Sequence, residues 1–162
     1  MRVGIDATAL PSKPVGAGIY TINLVRALHS LDLSYDLVVF ATQRGRDVVD
    51  LPEKPGFHWV VVPELNPAIR LVWEQVVFPN LVRRDKLDLL HSLHYTKPIY
   101  LPCASVVTFH DMTFLLYPQL HTRAKRVIFP LFIRMSARQA DALIAVSEST
   151  RHLLIDTQAQ AL

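Results

Sequence analysis

Short, continuous apolar runs alternate with longer amphipathic ones along this chain. Residues 3–6, 37–41, 58–62, 87–90, 105–109 and 142–146 are short and apolar, and 58–62 is rich in β-branched side chains. Runs with so little polar alternation read as strands buried on both faces. Between them, Ile19, Leu24, Val25, Leu28 and Leu31 recur at helical spacing. Asn66-Pro67 is a helix start, a capping side chain followed by proline at the first helical position. That helix should run to about Asp85, with a bend or break near Pro79. A long helix is expected over residues 122–139, with Pro130 as an interior flaw. Ser147 can cap a last helix from Glu148 to about Ile155.

This alternation predicts an α/β fold: a Rossmann-like, doubly wound parallel sheet in the order 3-2-1-4-5-6 with right-handed crossovers. Residues 1–156 read as one domain and 157–162 as a tail. The longest irregular stretches are expected at 11–18, 44–57, 93–102 and 111–121. Three of these follow the first, fourth and fifth strands. Ligands of open α/β sheets bind at that carboxyl edge, so the chemistry is sought there.

Composition narrows the class. The 162 residues are 51% hydrophobic and 19% charged, the profile of one folded domain. Cys103 is the single cysteine, so no internal disulfide framework exists and a reducing cytosol is expected. No apolar stretch reaches the length of a membrane span, and the first residues reach Asp6 without a leader-like apolar core. The net charge of +3 is a mild basic bias that suits anionic ligands or membrane surfaces and does not point to nucleic acid.

Four groups of residues carry candidate chemistry. Gly16-Ala17-Gly18 stands between the first strand and first helix, where glycine lets backbone approach a ligand and helix N–H groups face an anion. It is either that or a packing turn, and Thr21 occupies the third glycine position of a dinucleotide fingerprint. His110-Asp111 leaves the fifth strand at the carboxyl edge; the imidazole can contact a sugar hydroxyl or developing positive charge, or bond to backbone as a strand-end residue. His91 and His94 flank the end of the fourth strand, followed by Tyr95, Lys97 and Tyr100. They form either an acceptor-touching loop or solvated loop positions, and without a second pair at ligand spacing no metal is expected. Ser147, after the sixth strand, can bond a ligand or cap its helix. In addition, Arg123, Lys125, Arg126, Arg134 and Arg138 share a helix with Val127, Ile128, Phe129, Leu131, Phe132 and Ile133. Such a helix lies on an anionic membrane or buries its stripe on the sheet.

Taken together, these segments resemble the N-terminal half of group 1 (family four) retaining glycosyltransferases of GT-B fold. Arg2-Val3-Gly4-Ile5-Asp6-Ala7 followed by Gly16-Ala17-Gly18-Ile19-Tyr20 resembles their opening. Trp73-Glu74-Gln75 with Pro79 resembles the W-E-Q…P helix of mannosyltransferase-like members. Asp88 to His91 with Pro98, Val107 to Asp111, and Asp141 to Ser149 resemble three further motifs in register. The resemblance implies an acceptor-side domain facing a second, donor-binding domain that grips a nucleotide-diphosphate sugar. It implies retention of anomeric configuration, no metal or other cofactor, and a hexose (mannose among the candidates) passed to a glycan or lipid-linked acceptor in cell-surface polysaccharide synthesis. In that picture His110 is catalytic, contacting the transferred sugar. Gly16, Ala17, Gly18, His94, Tyr95, Asp111 and Ser147 bind substrate. The donor-binding half is expected to be missing after Ile155, leaving the isolated chain inactive, in the cytoplasm or peripheral at the inner membrane face. A non-catalytic Rossmann-like binding or regulatory subunit is the alternative. A nicotinamide dehydrogenase is disfavoured by Phe40-Ala41-Thr42, where an acidic residue should follow the second strand.

Overall fold

The second strand shows how both faces of the sheet are covered. In β2 (Asp36–Thr42), Leu37, Val39 and Ala41 join one apolar cluster while Val38 and Phe40 join another. Every residue from Leu37 to Ala41 is fully buried, which is why the run lacks polar alternation. The computed structural model describes residues 1–111 and 123–159, with side chains described to residue 111 and over 129–156. Among these, β1 (Arg2–Asp6), β2, β3 (Phe57–Val62), β4 (Leu89–Ser92), β5 (Ala104–Phe109) and β6 (Ala142–Ala145) form one sheet in the order β3-β2-β1-β4-β5-β6. Every pairing is parallel. The fold is the expected Rossmann-like doubly wound α/β sheet.

One face packs on α1 (Ala17–Ser30), through Ile22 and Val25, and on Val49 of α2 (Gln43–Val49). The other receives Trp73 of α3 (Pro67–Val76) and Phe78 and Val82 of α4 (Phe78–Arg84). Val107 and Phe109 of β5 pack against Ile133 and Ala137 of α5 (Arg123–Gln139) and Leu154 of α6 (Glu148–Ala159). Gly4 leaves room for leucines at the centre: a Cβ there would lie 2.3 Å from Leu87 Cδ1 and 3.2 Å from Leu90 Cδ1, so those side chains would have to shift.

Local chemistry sets the element ends. Asn66 caps α3 by accepting from the Ile69 N–H at 3.0 Å, with Pro67 behind it. The expected break falls at Val77, because Pro79 has no N–H to return to the turn before it. Ser147 Oγ accepts from the Thr150 N–H at 3.2 Å and starts α6, which runs past the expected end at Ile155. The helix expected from residue 122 is described from Arg123 and continues through Pro130. The side chains of Arg123, Lys125, Arg126, Val127 and Ile128, the stretch 112–122 and residues 160–162 lie outside the described residues.

Two expectations are corrected. The stretch 44–57 is not irregular throughout, since α2 begins directly off β2, with Thr42 Oγ1 accepting from the Gly45 N–H at 3.1 Å. Seven residues containing a glycine carry too little periodicity to announce a helix. The fourth strand is not 87–90 but Leu89–Ser92. Lys86, at φ 50°, ends α4 in a left-handed cap, and the Leu87 N–H returns to the Val82 carbonyl at 3.2 Å. Leu87 is therefore the apolar plug of a helix cap, and His91 moves inside the strand.

His91 has a measurable consequence there. Its Nε2 lies 2.8 Å from Thr108 Oγ1, and burial pushes the imidazole down to about 4. The unfolded chain takes up this proton near pH 6.5, while the folded chain refuses it until near 4. Stability should therefore fall as pH drops through that window. Relative to His91→Gln, the wild type should lose about 3 kcal/mol more between pH 7 and pH 4. Urea titrations across the range check this; parallel pH profiles for the two proteins would refute it.

Candidate functional site

At the carboxyl ends of β1 and β4, four charged or titratable side chains meet away from water. Glu74 of α3 is 1% exposed and Asp6 of β1 is 0% exposed. Arg70, one turn before Glu74, places Nη1 3.0 Å from Glu74 Oε2 and 2.7 Å from His94 Nε2. His94 Nε2 also lies 3.3 Å from Glu74 Oε2 and 3.5 Å from Asp6 Oδ2. Thr96 donates its hydroxyl to Glu74 at 2.9 Å. Burial by itself would raise the Glu74 carboxyl. The hydrogen bond and charge of His94, the Arg70 guanidinium and the Thr96 hydroxyl outweigh it and hold Glu74 below the ordinary glutamate value.

His94 Nε2 is contested. A guanidinium only donates, so its 2.7 Å contact asks Nε2 for a lone pair, whereas the carboxylates ask it for a proton. Asp6 Oδ1 accepts from the Thr8 N–H at 3.0 Å, but among the described residues Asp6 Oδ2 and His94 Nδ1 are buried without a hydrogen-bond partner. The nearest atoms of Asp6, Glu74 and His94 lie within 4.8 Å of one another, a spacing that suits a cation. Here the guanidinium of Arg70 already brings positive charge to Glu74.

The W-E-Q sequence thus has a physical reading, missed when it was seen only as a resemblance. Trp73 stacks on Phe78 with ring centroids 5.4 Å apart. Glu74 anchors the buried cluster. Gln75 donates to the Lys97 carbonyl at 3.1 Å and accepts from the Ile99 N–H at 2.9 Å. The helix therefore fastens the segment that carries His94 and Tyr95. Neither histidine is solvated: His91 sits in a strand and His94 in the cluster. Asp6, Arg70 and Glu74 escaped the sequence reading because charged residues are usually exposed, and only the parallel fold brings residues 6, 70, 74 and 94 together.

Gly16, Ala17 and Gly18 open α1 at the same edge. Gly16 has φ 48° and ψ −109°, which a side chain would strain, and nothing lies within 4 Å of the Cβ it lacks. Gly18 is different: a Cβ there would meet Pro14 Cβ at 2.8 Å, so it is a packing glycine. A cavity of about 140 Å³ is bordered by Ala17, Gly18, Asp6 and His94. A larger one of about 350 Å³ opens beside it, lined by Thr8, Ser12, Thr42, Arg44, Glu64 and Arg70 among others.

His110 follows β5 on this edge. Its Nε2 is 2.9 Å from the Leu93 carbonyl, which only accepts, so Nε2 carries a proton. Its ring meets Tyr20 and Tyr95 edge-on, at centroid distances of 5.1 and 5.9 Å. Tyr95 donates its hydroxyl to Asp111 at 2.8 Å; burial, then Asp111, pushes that phenol well above its usual range. Asp111 is thus joined to Tyr95. Ser147 is at this edge as well, with its hydroxyl engaged as the α6 cap.

A family model described as Glycosyltransferase Family 4 matches residues 14–160. The chain belongs to glycosyltransferase family 4. The match and the all-parallel sheet fit the N-terminal domain of a group 1 enzyme, one half of a GT-B fold. No curated protein matches this chain. Among its described residues no helix is long and apolar enough to cross a membrane.

The buried cluster supplies a test. Glu74→Gln keeps the shape but removes the charge facing Arg70. It should destabilise the domain by about 3–5 kcal/mol. Gln75→Ala, which unfastens two backbone groups, should cost about 1–3 kcal/mol. Denaturant unfolding measures both, and a Glu74→Gln protein as stable as wild type would show the cluster to be dispensable.

Proposed function

We propose that this domain is the acceptor-side half of a retaining, metal-independent transferase that moves a hexose from a nucleotide-diphosphate sugar to a glycan or lipid-linked acceptor. Family membership supports glycosyl transfer. The observation that carries the site assignment is at the carboxyl side of the sheet: Val15, Ala17 and Gly18 of the glycine loop border a cavity with Asp6 and His94, a second cavity adjoins it, and His110 bonds to Leu93 in the wall of the first. The donor diphosphate would be held by a second Rossmann-like domain across the cleft, so this domain by itself is proposed not to turn over. Mannose is the hexose the W-E-Q likeness favours. A place in the cytoplasm, at the inner membrane face, accords with a lipid-linked acceptor. Arg134, Arg138 and Leu131, exposed on α5, are available for that contact.

His110 has a defined part in this proposal. With Nε2–H committed to Leu93, neutral His110 has Nδ1 left, and bare Nδ1 accepts hydrogen bonds. It would orient the sugar by accepting from a hydroxyl, and if protonated would donate instead. Gly16 leaves backbone open to the donor phosphate. Ala17, Gly18 and His94 border the smaller cavity, and Tyr95, Asp111 and Ser147 would flank the acceptor.

The test pairs the domain with a family C-terminal half, supplying GDP-mannose and an acceptor. His110→Ala should lower kcat by about 30- to 1,000-fold, equivalent to roughly 2–4 kcal/mol. Because His110 also holds Leu93, the variant should lose about 1 kcal/mol of stability. An unchanged kcat with that same loss would make His110 a structural peg and favour a non-catalytic binding subunit.

A further inference from the structure

The segment after β4 buries one cation without a close counter-charge. Lys97 is 3% exposed. Its backbone is clamped between two helices: the N–H donates to Ser136 Oγ of α5 at 3.0 Å, and the carbonyl accepts from Gln75 of α3. The side-chain Nζ donates to the Pro98 carbonyl at 3.1 Å, and among the described residues no carboxylate lies within 4.0 Å of it. An ammonium has three N–H bonds, and a buried charge without compensation is costly. Lys97 borders an open cavity of about 350 Å³, with Tyr100, Cys103, Ser105, Gln139 and Asp141 in its walls. Cys103, Ser105 and Asp141 mark the starts of β5 and β6, so this cavity lies at the amino edge of the sheet, opposite His94 and His110.

We propose that this cavity is a second binding site, for a small hydroxylated anion whose phosphate or carboxylate group pairs with the Lys97 ammonium. The other wall argues for the hydroxyl. Asp141 accepts from the Ser105 N–H at 2.8 Å and from Ser105 Oγ at 3.0 Å, bonds that hold its carboxyl below the usual aspartate range. A fixed carboxylate repels a bare anion and favours a ligand that turns a donor toward it. Burial pushes the Lys97 amine below the ordinary lysine value, against the fields of Asp141, Cys103 and Glu74. An anion seated beside it would oppose that fall by favouring the charged amine. Burial pushes the Cys103 thiol up, so the thiol is not the reactive group of this cavity. The site is independent of the glycosyl-transfer reading.

The experiment is site-resolved reductive methylation of the intact chain with isotope-labelled formaldehyde and borohydride, read at each lysine by mass spectrometry. Formaldehyde reacts with the unprotonated amine, so a bound anion protects. Inorganic phosphate should slow Lys97 methylation by about ten-fold at saturation, leaving the exposed Lys13, Lys54 and Lys86 unchanged. Glycerol 3-phosphate should protect at lower concentration than inorganic phosphate. The proposal is overturned if Lys97 is unreactive without phosphate, if all lysines slow alike, or if chloride at matched ionic strength protects equally. Inorganic phosphate protecting better than glycerol 3-phosphate would overturn the role given to Asp141.

Discussion

The carboxyl edge of this domain is organised around a glutamate that water does not reach. Glu74 is a cost to the fold unless Arg70, His94 and Thr96 stay in place. Arg70 sits one turn before it on α3, and His94 and Thr96 sit two residues apart in the segment after β4. The carboxylate therefore fixes α3 against the segment after β4. Gln75 extends the same hold along the backbone as far as Ile99. That segment carries Tyr95, which reaches Asp111 past β5, and the Leu93 carbonyl that orients His110. Disturbing the glutamate would reach the proposed sugar-contacting histidine through bonds, although no atom of Glu74 need touch a ligand.

The two edges of a parallel sheet divide labour. Helix starts and post-strand loops converge at the carboxyl edge, where polar groups are engaged with one another. The loop from β4 to β5 must travel back to the amino edge, and it drags Lys97 through the interior on the way. Its burial follows from connectivity as much as from packing: the flanking residues are pinned to α3 and α5, leaving the side chain little choice of course.

Much of the architecture was legible because burial on both faces leaves an unmistakable mark. Residues 37–41 and 105–109 could hardly be anything but central strands, and Asn66-Pro67 and Ser147 announced their helices. What failed to show had physical reasons. α2 is too short to build a periodic signal, and its cap is a strand residue, Thr42. Leu87 advertised a strand while serving a helix cap. The placement of the glycine loop and His110 at the carboxyl edge could be read from their position relative to the strands. The association of Asp6, Arg70, Glu74 and His94 could not, because residues distant in sequence become neighbours only through the sheet order. Gly16 and Gly18 look equivalent in the sequence, yet one faces open space and the other a proline.

Tyr95 sits at φ 48°, a backbone conformation that disfavours a side chain, and the fold accepts that strain. Its N–H is bonded to Thr108 and its hydroxyl to Asp111, so the residue is held at both ends. A side chain fixed in this way has already surrendered its conformational freedom during folding. A ligand arriving beside it would have less disorder to remove, so more of the contact energy would survive as affinity.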